Sequence, residues 1–264
     1  MISDVMKIPE LTYYDLGEGV VAFSSTRRGG YSTGAYGEFN INRYCGDSDE
    51  AISRNREALC QLLGIGDDQL LMPHQTHQTE VIGINQHFPA LLPHERQAAL
   101  EGKDAIMTDL TGVCIGVSTA DCIPLLLYDR EHHAACAVHA GWRGTVARIA
   151  EKAVAAMTAA YGTRPERLVA QIGPGIGLDS FEVGQEVYDA FLHARFDMAP
   201  ISRREAKWHI DLPECNRRQL LAAGLVADSI APSPACTFKQ PGSYFSARRL
   251  GISSGRIFTA ILLR

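Results

Sequence analysis

The sequence has few of the features that mark nucleic-acid-binding or exported proteins. Its 264 residues carry 25 Lys and Arg against 30 Asp and Glu, a formal net charge of -5, and no basic run stands out. We expect no nucleic-acid partner, because such proteins bind through clustered positive charge. Residues 1–7 lack the basic start, the apolar stretch and the cleavage site of a secretory signal, so we expect a cytosolic protein.

Long apolar runs, paired cysteine motifs and repeats are missing as well. The longest apolar stretch, residues 112–128, contains Asp121 and Pro124 and is too short to cross a bilayer as a helix, so no membrane partner is expected. The seven cysteines include no C-x-x-C pair, which in a cytosolic chain indicates free thiols, some of them reactive or metal-bound. Since no composition break divides the chain, residues 1–264 are interpreted as a single domain.

Apolar spacing predicts both strands and helices. Short apolar and β-branched runs predict buried strands at 20–24, 105–108, 113–119, 125–128, 134–139, 168–172 and 258–263. Amphipathic spacing and capping residues predict helices at 50–63, 145–161, 185–195 and 211–224. The sequence therefore predicts an α/β (α+β) fold with antiparallel or mixed strand pairing.

Cys122 and His139 stand at the ends of strand-like runs, where rigid scaffolds present reactive groups. A free cysteine is often only a small buried hydrophobe, but Asp121 and Pro124 predict a bend that exposes the Cys122 thiol beside a charge. His139 is either a hydrogen-bonded core histidine or part of a binding site. The glycines of the following Gly-Trp-Arg-Gly segment would allow a ligand to approach it closely.

Arg143 precedes the helix predicted to begin at Thr145. A helix N-terminus favours anions, so Arg143 and His139 could flank a phosphate there. The alternative is that Arg143 forms only a surface ion pair and takes no part in binding.

His74 and His77 are three residues apart in a segment rich in Thr and Val. In an extended chain they face opposite sides, so only one of them is expected to reach the site, and each could instead be a polar loop residue. Two histidines and one cysteine match a catalytic zinc site with an open fourth position. The separations along the chain fit no short linear metal motif, so spacing alone does not establish such a site.

Several segments together resemble one known family. The most specific are residues 119–124, with the sequence TADCIP, and residues 139–144, with the sequence HAGWRG. Shorter matches occur at 25–30, 39–42, 46–47, 55–56, 75–77, 173–177, 181–184, 211–212, 216–217, 236–237, 244–246, 248–249 and 255–256. Over nearly its whole length the chain resembles the laccase-domain purine nucleoside phosphorylases, a family formerly described as multicopper polyphenol oxidases.

The resemblance implies a fold, a metal site and an activity. The fold is a sandwich of mixed β-sheets flanked by helices, related to toxin deamidases that use a Cys and a His. His77, Cys122 and His139 are implied as the metal-binding and catalytic trio, with Zn²⁺ as the cofactor and copper as the alternative. The implied activity is phosphorolysis of adenosine, inosine, guanosine and 5'-methylthioadenosine to the free base and the sugar 1-phosphate, together with adenosine deamination.

These reactions need charged groups besides the trio. Phosphorolysis requires an anion site, for which Arg27, Arg143 and Arg248 are the candidate substrate-binding residues. Deamination requires a proton carrier, for which Glu80 and Asp121 are the candidates. Asp121 could instead orient a histidine ligand or cap the turn.

Three other functions are alternatives for this sequence. A cysteine hydrolase or deamidase would use Cys122 as nucleophile and His139 as base, and would leave His77 unused. A copper-dependent polyphenol oxidase is disfavoured, because multicopper sites need more paired histidines than nine scattered ones provide. A non-catalytic protein would hold a closed structural metal, with His74 as the nearest candidate for a fourth ligand. Neither the oligomeric state nor the preferred nucleoside follows from the sequence.

Overall fold

The computed structural model describes residues 7–264. The strands in this part of the chain are β1 (Leu11–Tyr14), β2 (Val20–Ser25), β3 (Leu70–Leu71), β4 (Val81–Ile84), β5 (Ala105–Thr108), β6 (Cys114–Thr119), β7 (Ile123–Asp129), β8 (Ala134–Ala140), β9 (Leu168–Ile172), β10 (Glu182–Val183), β11 (Ser202–Arg204), β12 (Trp208–Ile210), β13 (Ile230–Pro232) and β14 (Ile257–Leu263). The α-helices are α1 (Asp49–Leu63), α2 (Pro93–Leu100), α3 (Trp142–Val146), α4 (Ile149–Tyr161), α5 (Gln185–His193), α6 (Leu212–Ala222) and α7 (Ala247–Leu250).

These strands form three sheets. A five-stranded sheet has the order β1-β2-β14-β6-β3, a six-stranded sheet has the order β13-β9-β7-β8-β5-β4, and a small sheet has the order β10-β12-β11. Most neighbours are antiparallel, but β3 pairs with β6, β4 with β5, and β13 with β9 in parallel. The prediction of mixed pairing is therefore confirmed.

The two large sheets pack face to face and carry helices on their outer faces. Ile115 and Ile261 of the five-stranded sheet lie in one buried cluster with Leu126 and Ala137 of the six-stranded sheet. A second cluster joins the other face of the six-stranded sheet to α4, α5 and α6, and a third joins the five-stranded sheet to α1. The predicted sandwich of mixed sheets flanked by helices is confirmed.

Local sequence signals located all seven predicted strands and three of the four predicted helices within about two residues. The strands predicted at 105–108 and 168–172 have the observed bounds. Helix α1 begins where the Ser48 side chain accepts a hydrogen bond from the Ala51 amide, and it ends at Gly64 in the left-handed conformation. Sequence reasoning did not identify the small three-stranded sheet, the strands β1, β3, β4 and β13, or the helices α2 and α7.

The helix predicted at 145–161 is wrong in one respect: two helices occupy this region. Helix α3 begins earlier, at Trp142 with Gly141 as its N-cap, and α4 follows a break at Arg148, whose φ is 65°. The Arg148 guanidinium donates to Glu151 and to the carbonyl of Ala194. The bond to Ala194 ties the break to a distant part of the chain, which apolar spacing cannot reveal.

All seven cysteines are free thiols. Among residues 7–264, no helix combines the length and the apolar character needed to cross a membrane.

We expect the aromatic contact between the neighbouring strands β2 and β14 of the five-stranded sheet to contribute strongly to stability. Phe258 of β14 is fully buried, and its ring packs edge-to-face against Phe23 of β2 at 6.1 Å. The Phe258→Ala substitution should lower the free energy of unfolding by about 3–5 kcal/mol, because it leaves a cavity in the core. Denaturant unfolding measures this loss.

The control is Val226→Ala, since Val226 is 50% exposed. Its unfolding free energy should stay within about 0.5 kcal/mol of the parent value. Equal losses for both variants would contradict the assignment of Phe258 to the core.

Candidate metal centre

Strand pairing brings Cys122 and His139 together. Strands β7 and β8 are antiparallel with Ile123 opposite Ala140, so the residue before β7 lies beside the end of β8. The predicted bend is present, because Asp121 adopts a φ of 85° and turns the chain just before Cys122. The Cys122 side chain is half-buried, whereas His139 is only 3% exposed.

Asp104, directly before β5, holds in place the loop that carries His77, the third residue of the predicted trio. Its buried carboxylate accepts hydrogen bonds from the backbone amides of Thr76, His77 and Gln78, at 3.3, 3.0 and 2.7 Å. These bonds fix the loop in which His77 adopts a left-handed φ of 62°. The same carboxylate lies 2.7 Å from Nδ1 of His139. One acidic residue thus orients both histidines.

The structure brings His77, Cys122 and His139 into one cluster. The sulfur of Cys122 and one nitrogen from each histidine all lie within 4.8 Å of one another. Because Nδ1 of His139 contacts Asp104, its Nε2 is the atom available to the cluster. No fourth His, Cys, Asp or Glu joins this group within residues 7–264.

The electrostatics of the cluster favour an ionised thiol. Burial raises the pKa of Cys122, but the charge of His139 and hydrogen bonds from His139 and His77 outweigh burial and lower the pKa to about 6. Burial lowers the pKa of His139, yet Cys122 and Asp104 raise it to about 9. In the metal-free protein this geometry therefore favours a thiolate beside an imidazolium. A thiolate is also the form in which cysteine binds a metal.

Gly141 leaves the space around the cluster open. A Cβ atom at this position would lie 3.0 Å from Sγ of Cys122 and 3.1 Å from Cδ2 of His77. The φ of Gly141 is -70°, which any residue can adopt, so the glycine is needed here for close approach and not for its backbone freedom.

The cluster lies in a cavity of about 270 Å³. Its lining residues come from both large sheets and from the loops at their ends: Asn42, Tyr44, Cys45, His74, Gln75, His77, Ser118, Thr119, Ala120, Cys122, His139, Ala247, Ile252 and Arg256. His74 also lines the cavity, but its Nδ1 lies 2.7 Å from Glu101 and it is not a member of the ligand cluster.

The three arginines predicted to bind substrate do not line this cavity. Arg27 donates to the carbonyls of Gly37 and Pro241, and Arg143 is exposed and stacks on Trp142 at 4.3 Å. Arg248 donates through its guanidinium to the carbonyl of Glu182. None of the three lines the cavity, and their substrate-binding role stays a prediction.

The two predicted proton carriers also have other partners. Glu80 is exposed and lies 3.9 Å from Lys103. Asp121 accepts hydrogen bonds from Thr237 Oγ1 and from the backbone amide of Arg248, both at 2.7 Å. Asp121 thus ties the turn before Cys122 to Thr237 and to α7, and these bonds involve neither a histidine ligand nor the backbone of the turn itself.

Sequence reasoning missed several residues of the site. Asp104 was overlooked, although an acidic residue directly before a fully buried strand is an unusual pattern. Arg256 contributes the guanidinium among the cavity-lining residues. Thr119 lines the cavity with a buried hydroxyl that has no hydrogen-bond partner within the described residues 7–264. Such a group calls for a ligand or a water.

Comparison with known proteins identifies the family. The family model described as multi-copper polyphenol oxidoreductase laccase matches residues 21–264. A purine nucleoside phosphorylase of Bacteroides thetaiotaomicron is 45% identical, over 91% of this chain and 90% of that protein. Adenosine deaminase RL5, from an unknown prokaryotic organism, is 44% identical over 97% of this chain and 99% of that protein.

A solved structure agrees with these sequence matches. The crystal structure of the hypothetical protein YfiH of Bacillus licheniformis has a TM-score of 0.89 and 25% identity, covering 99% of this chain and 98% of that one. The chain belongs to the multi-copper polyphenol oxidoreductase laccase family, which confirms the resemblance found in the sequence.

We expect Cys122 of the metal-free protein to ionise far below the ordinary thiol pKa of 9.0, at about 6. The thiolate is the deprotonated form, so it should persist as the pH falls from 9 and be lost only near 6. Ultraviolet absorbance of the thiolate during a pH titration measures this ionisation, with the Cys122→Ser variant as the blank. A difference spectrum with its midpoint near 9 would contradict the pairing of Cys122 with His139.

We expect Gly141→Ala to weaken metal binding without unfolding the protein. The added methyl group would press on Cys122 and His77, and disturbing groups that orient ligands typically costs metal affinity on the order of tenfold or more. Competition with a chromogenic chelator measures the affinity.

The matched control is Gly83→Ala, whose Cβ would meet only the flexible end of Met107 at 3.4 Å. Its metal affinity should equal that of the parent protein. Unchanged affinity in the Gly141 variant would show that the cluster is not the metal site.

Proposed function

We propose that this protein is a zinc-dependent purine nucleoside phosphorylase that also deaminates adenosine. Its substrates would be adenosine, inosine, guanosine and 5'-methylthioadenosine, with phosphate as the second substrate of phosphorolysis. The observation that carries the proposal is the His77, Cys122 and His139 cluster, which offers three ligands in a cavity and leaves a fourth position open. The names of the two relatives, a purine nucleoside phosphorylase and an adenosine deaminase, support this function.

The donor set fits zinc. Two imidazole nitrogens and one thiolate, with a carboxylate behind one imidazole, are a combination that zinc enzymes use. When bound, zinc would supply a Lewis acid and a water of lowered pKa. Copper also accepts these ligands, so the chemistry of the donors alone does not exclude it.

The protein's own residues prepare the cavity for this chemistry. Asp104 keeps His139 oriented with Nε2 toward Cys122, and Gly141 leaves the space that a ligand on the open position requires. The Thr119 hydroxyl is a polar atom in need of a partner, and a nucleoside or a phosphate offers one.

The phosphate needs positive charge near the reacting carbon. Arg256 is the arginine that lines the cavity, and its guanidinium is held by the carbonyls of Ile252, Ser254 and Gly255. We assign the phosphate subsite to Arg256. Of the three arginines predicted from the sequence, Arg248 remains a candidate because its neighbour Ala247 lines the cavity.

We also propose that the chain acts as one catalytic domain in the cytosol. Ser118 and Thr119 belong to the five-stranded sheet, and His139 belongs to the six-stranded sheet. The cavity is complete only when both sheets are packed together. Seven free thiols are typical of a reducing compartment.

A metal-free cysteine hydrolase is the second candidate. The contact between Cys122 and His139, with Asp104 behind the imidazole, has the arrangement of nucleophile, base and orienting group. The hydrolase leaves His77 without a role, although His77 lies within ligand distance of the sulfur. The metal site accounts for all three residues, and this is why we prefer it.

Other functions fit the geometry less well. A multicopper oxidase needs several copper sites, whereas the part of the chain that the structure describes contains one group of three ligands. A closed structural site would need a fourth ligand, and His74 does not belong to the cluster of His77, Cys122 and His139.

We expect the zinc-loaded protein to release free base from adenosine or inosine only when phosphate is present, with ribose 1-phosphate as the second product. Adenosine should also yield ammonia and inosine without phosphate, because water is the nucleophile of deamination. The Cys122→Ala variant should lose both activities and one equivalent of zinc. Chromatography of the bases and metal analysis measure these outcomes.

The control is Cys236→Ala, because Cys236 is a half-buried cysteine that does not line the cavity. It should keep its zinc and both activities. If no nucleoside releases its base with zinc-loaded protein, the phosphorylase is excluded and the metal-free hydrolase becomes the leading function.

A further inference from the structure

A second histidine–carboxylate pair lies on the cavity, apart from the metal cluster. Nδ1 of His74 is 2.7 Å from Oε1 of Glu101, and the His74 ring stacks on the ring of Tyr44 with centroids 4.0 Å apart and planes 21° apart. His74 and Tyr44 both line the cavity. The imidazole is therefore held on one face by an aromatic ring and on one edge by a carboxylate.

The backbone of this pair is also fixed. The amide of His74 donates to the carbonyl of Leu100, the amide of Gly102 donates to the carbonyl of His74, and the two segments form a parallel bridge at Glu101. The amide side chain of Gln75 bonds to both backbone groups of Ser118 and anchors the next residue to β6. Such anchoring positions a side chain more accurately than a mobile loop would.

One nitrogen of His74 is left for a ligand. Nδ1 is occupied by Glu101, and Nε2 has no hydrogen-bond partner among residues 7–264. The side chain is 35% exposed, so a bound substrate can reach it. A carboxylate on one nitrogen and an accessible second nitrogen are the arrangement of a histidine that transfers protons.

We propose that His74 is a catalytic residue that donates a proton from Nε2 to the leaving nucleobase. This inference rests on the proposed phosphorylase function and extends it. Phosphorolysis breaks the bond between the base nitrogen and C1' of the ribose, and the bonding electrons pass to the base. Without a proton the base would leave as an anion, which is a poor leaving group.

Phosphate is the co-reactant of this step. A phosphate oxygen forms the new bond to C1', and the C1'–N bond breaks with its electron pair on the base. The protonated His74 gives its Nε2 proton to a ring nitrogen of that base and becomes neutral. Glu101 stays a carboxylate throughout and holds Nδ1–H, and solvent returns the proton after the products leave.

His132, elsewhere in the fold, provides a matched control that distinguishes a catalytic role of His74 from a structural one. His132 has nearly the same exposure, 36%, and its Nδ1 lies 2.8 Å from Asp129. It does not line the cavity. His132 therefore has the same local contact as His74 but no access to the substrate.

The experiment compares inosine with 7-methylinosine. The methylated base already carries a positive charge on its imidazole ring and leaves as a neutral molecule, so it needs no proton. We expect His74→Gln to lower kcat for inosine on the order of a hundredfold or more, a usual contribution of general acid catalysis, while kcat for 7-methylinosine stays near the parent value. Glu101→Gln should show the same selectivity with a smaller loss, and His132→Gln should match the parent protein on both substrates.

The zinc content of each variant and its kcat on both substrates distinguish the possible outcomes. An equal loss on inosine and 7-methylinosine with full zinc would make His74 a binding or structural residue and overturn the proposal. Unchanged kcat on both substrates would overturn it too. If the parent protein cleaves neither nucleoside, the proposed function itself has failed, and that result is distinct from a failure of His74 alone.

Discussion

The buried carboxylate of Asp104 is the interaction on which the site depends. It receives three backbone amides of the loop that carries His77 and lies against the imidazole of His139. Burial raises the pKa of Asp104, but the hydrogen bond and charge of His139 and the amides of the loop outweigh burial and lower it. A buried charge with this many partners is stable, whereas one without them would be costly. The geometry of both histidines follows from this one side chain.

Strand register supplies the remaining member of the cluster. The antiparallel pairing of β7 with β8 places Cys122 next to the end of β8, and the lack of a side chain at Gly141 leaves the space beside the sulfur unfilled. The turn before Cys122 is fixed by Asp121, whose carboxylate bonds to Thr237 and to the backbone of Arg248. Residues far apart in the sequence thus hold the thiol at one point.

The cavity brings two groups of functional side chains to a single place. The metal cluster provides three ligands with an open position, and the pair of His74 and Glu101 lies on the same cavity with one free nitrogen. Deamination and phosphorolysis both break a bond from carbon to a nitrogen of the nucleoside, and both benefit when that nitrogen leaves with a proton. The copper in the family description suggests a different reaction, but the ligands described here suffice for one metal ion.

The sequence by itself determined about half of the elements and, through the family resemblance, the three residues of the cluster. Strands such as β5 and β9 follow from local apolar runs, and the two motifs around Cys122 and His139 identified the residues that the fold then brings together. The tertiary structure alone decided the role of Asp104, the break at Arg148 and the absence of Arg27, Arg143 and Arg248 from the cavity lining. Each of these depends on contacts between residues far apart in the chain. Hydrophobic periodicity indicates only the local secondary structure and the face of an element that is buried. The hydrogen-bond partners of a buried carboxylate or of an arginine are set only when the sheets pack together.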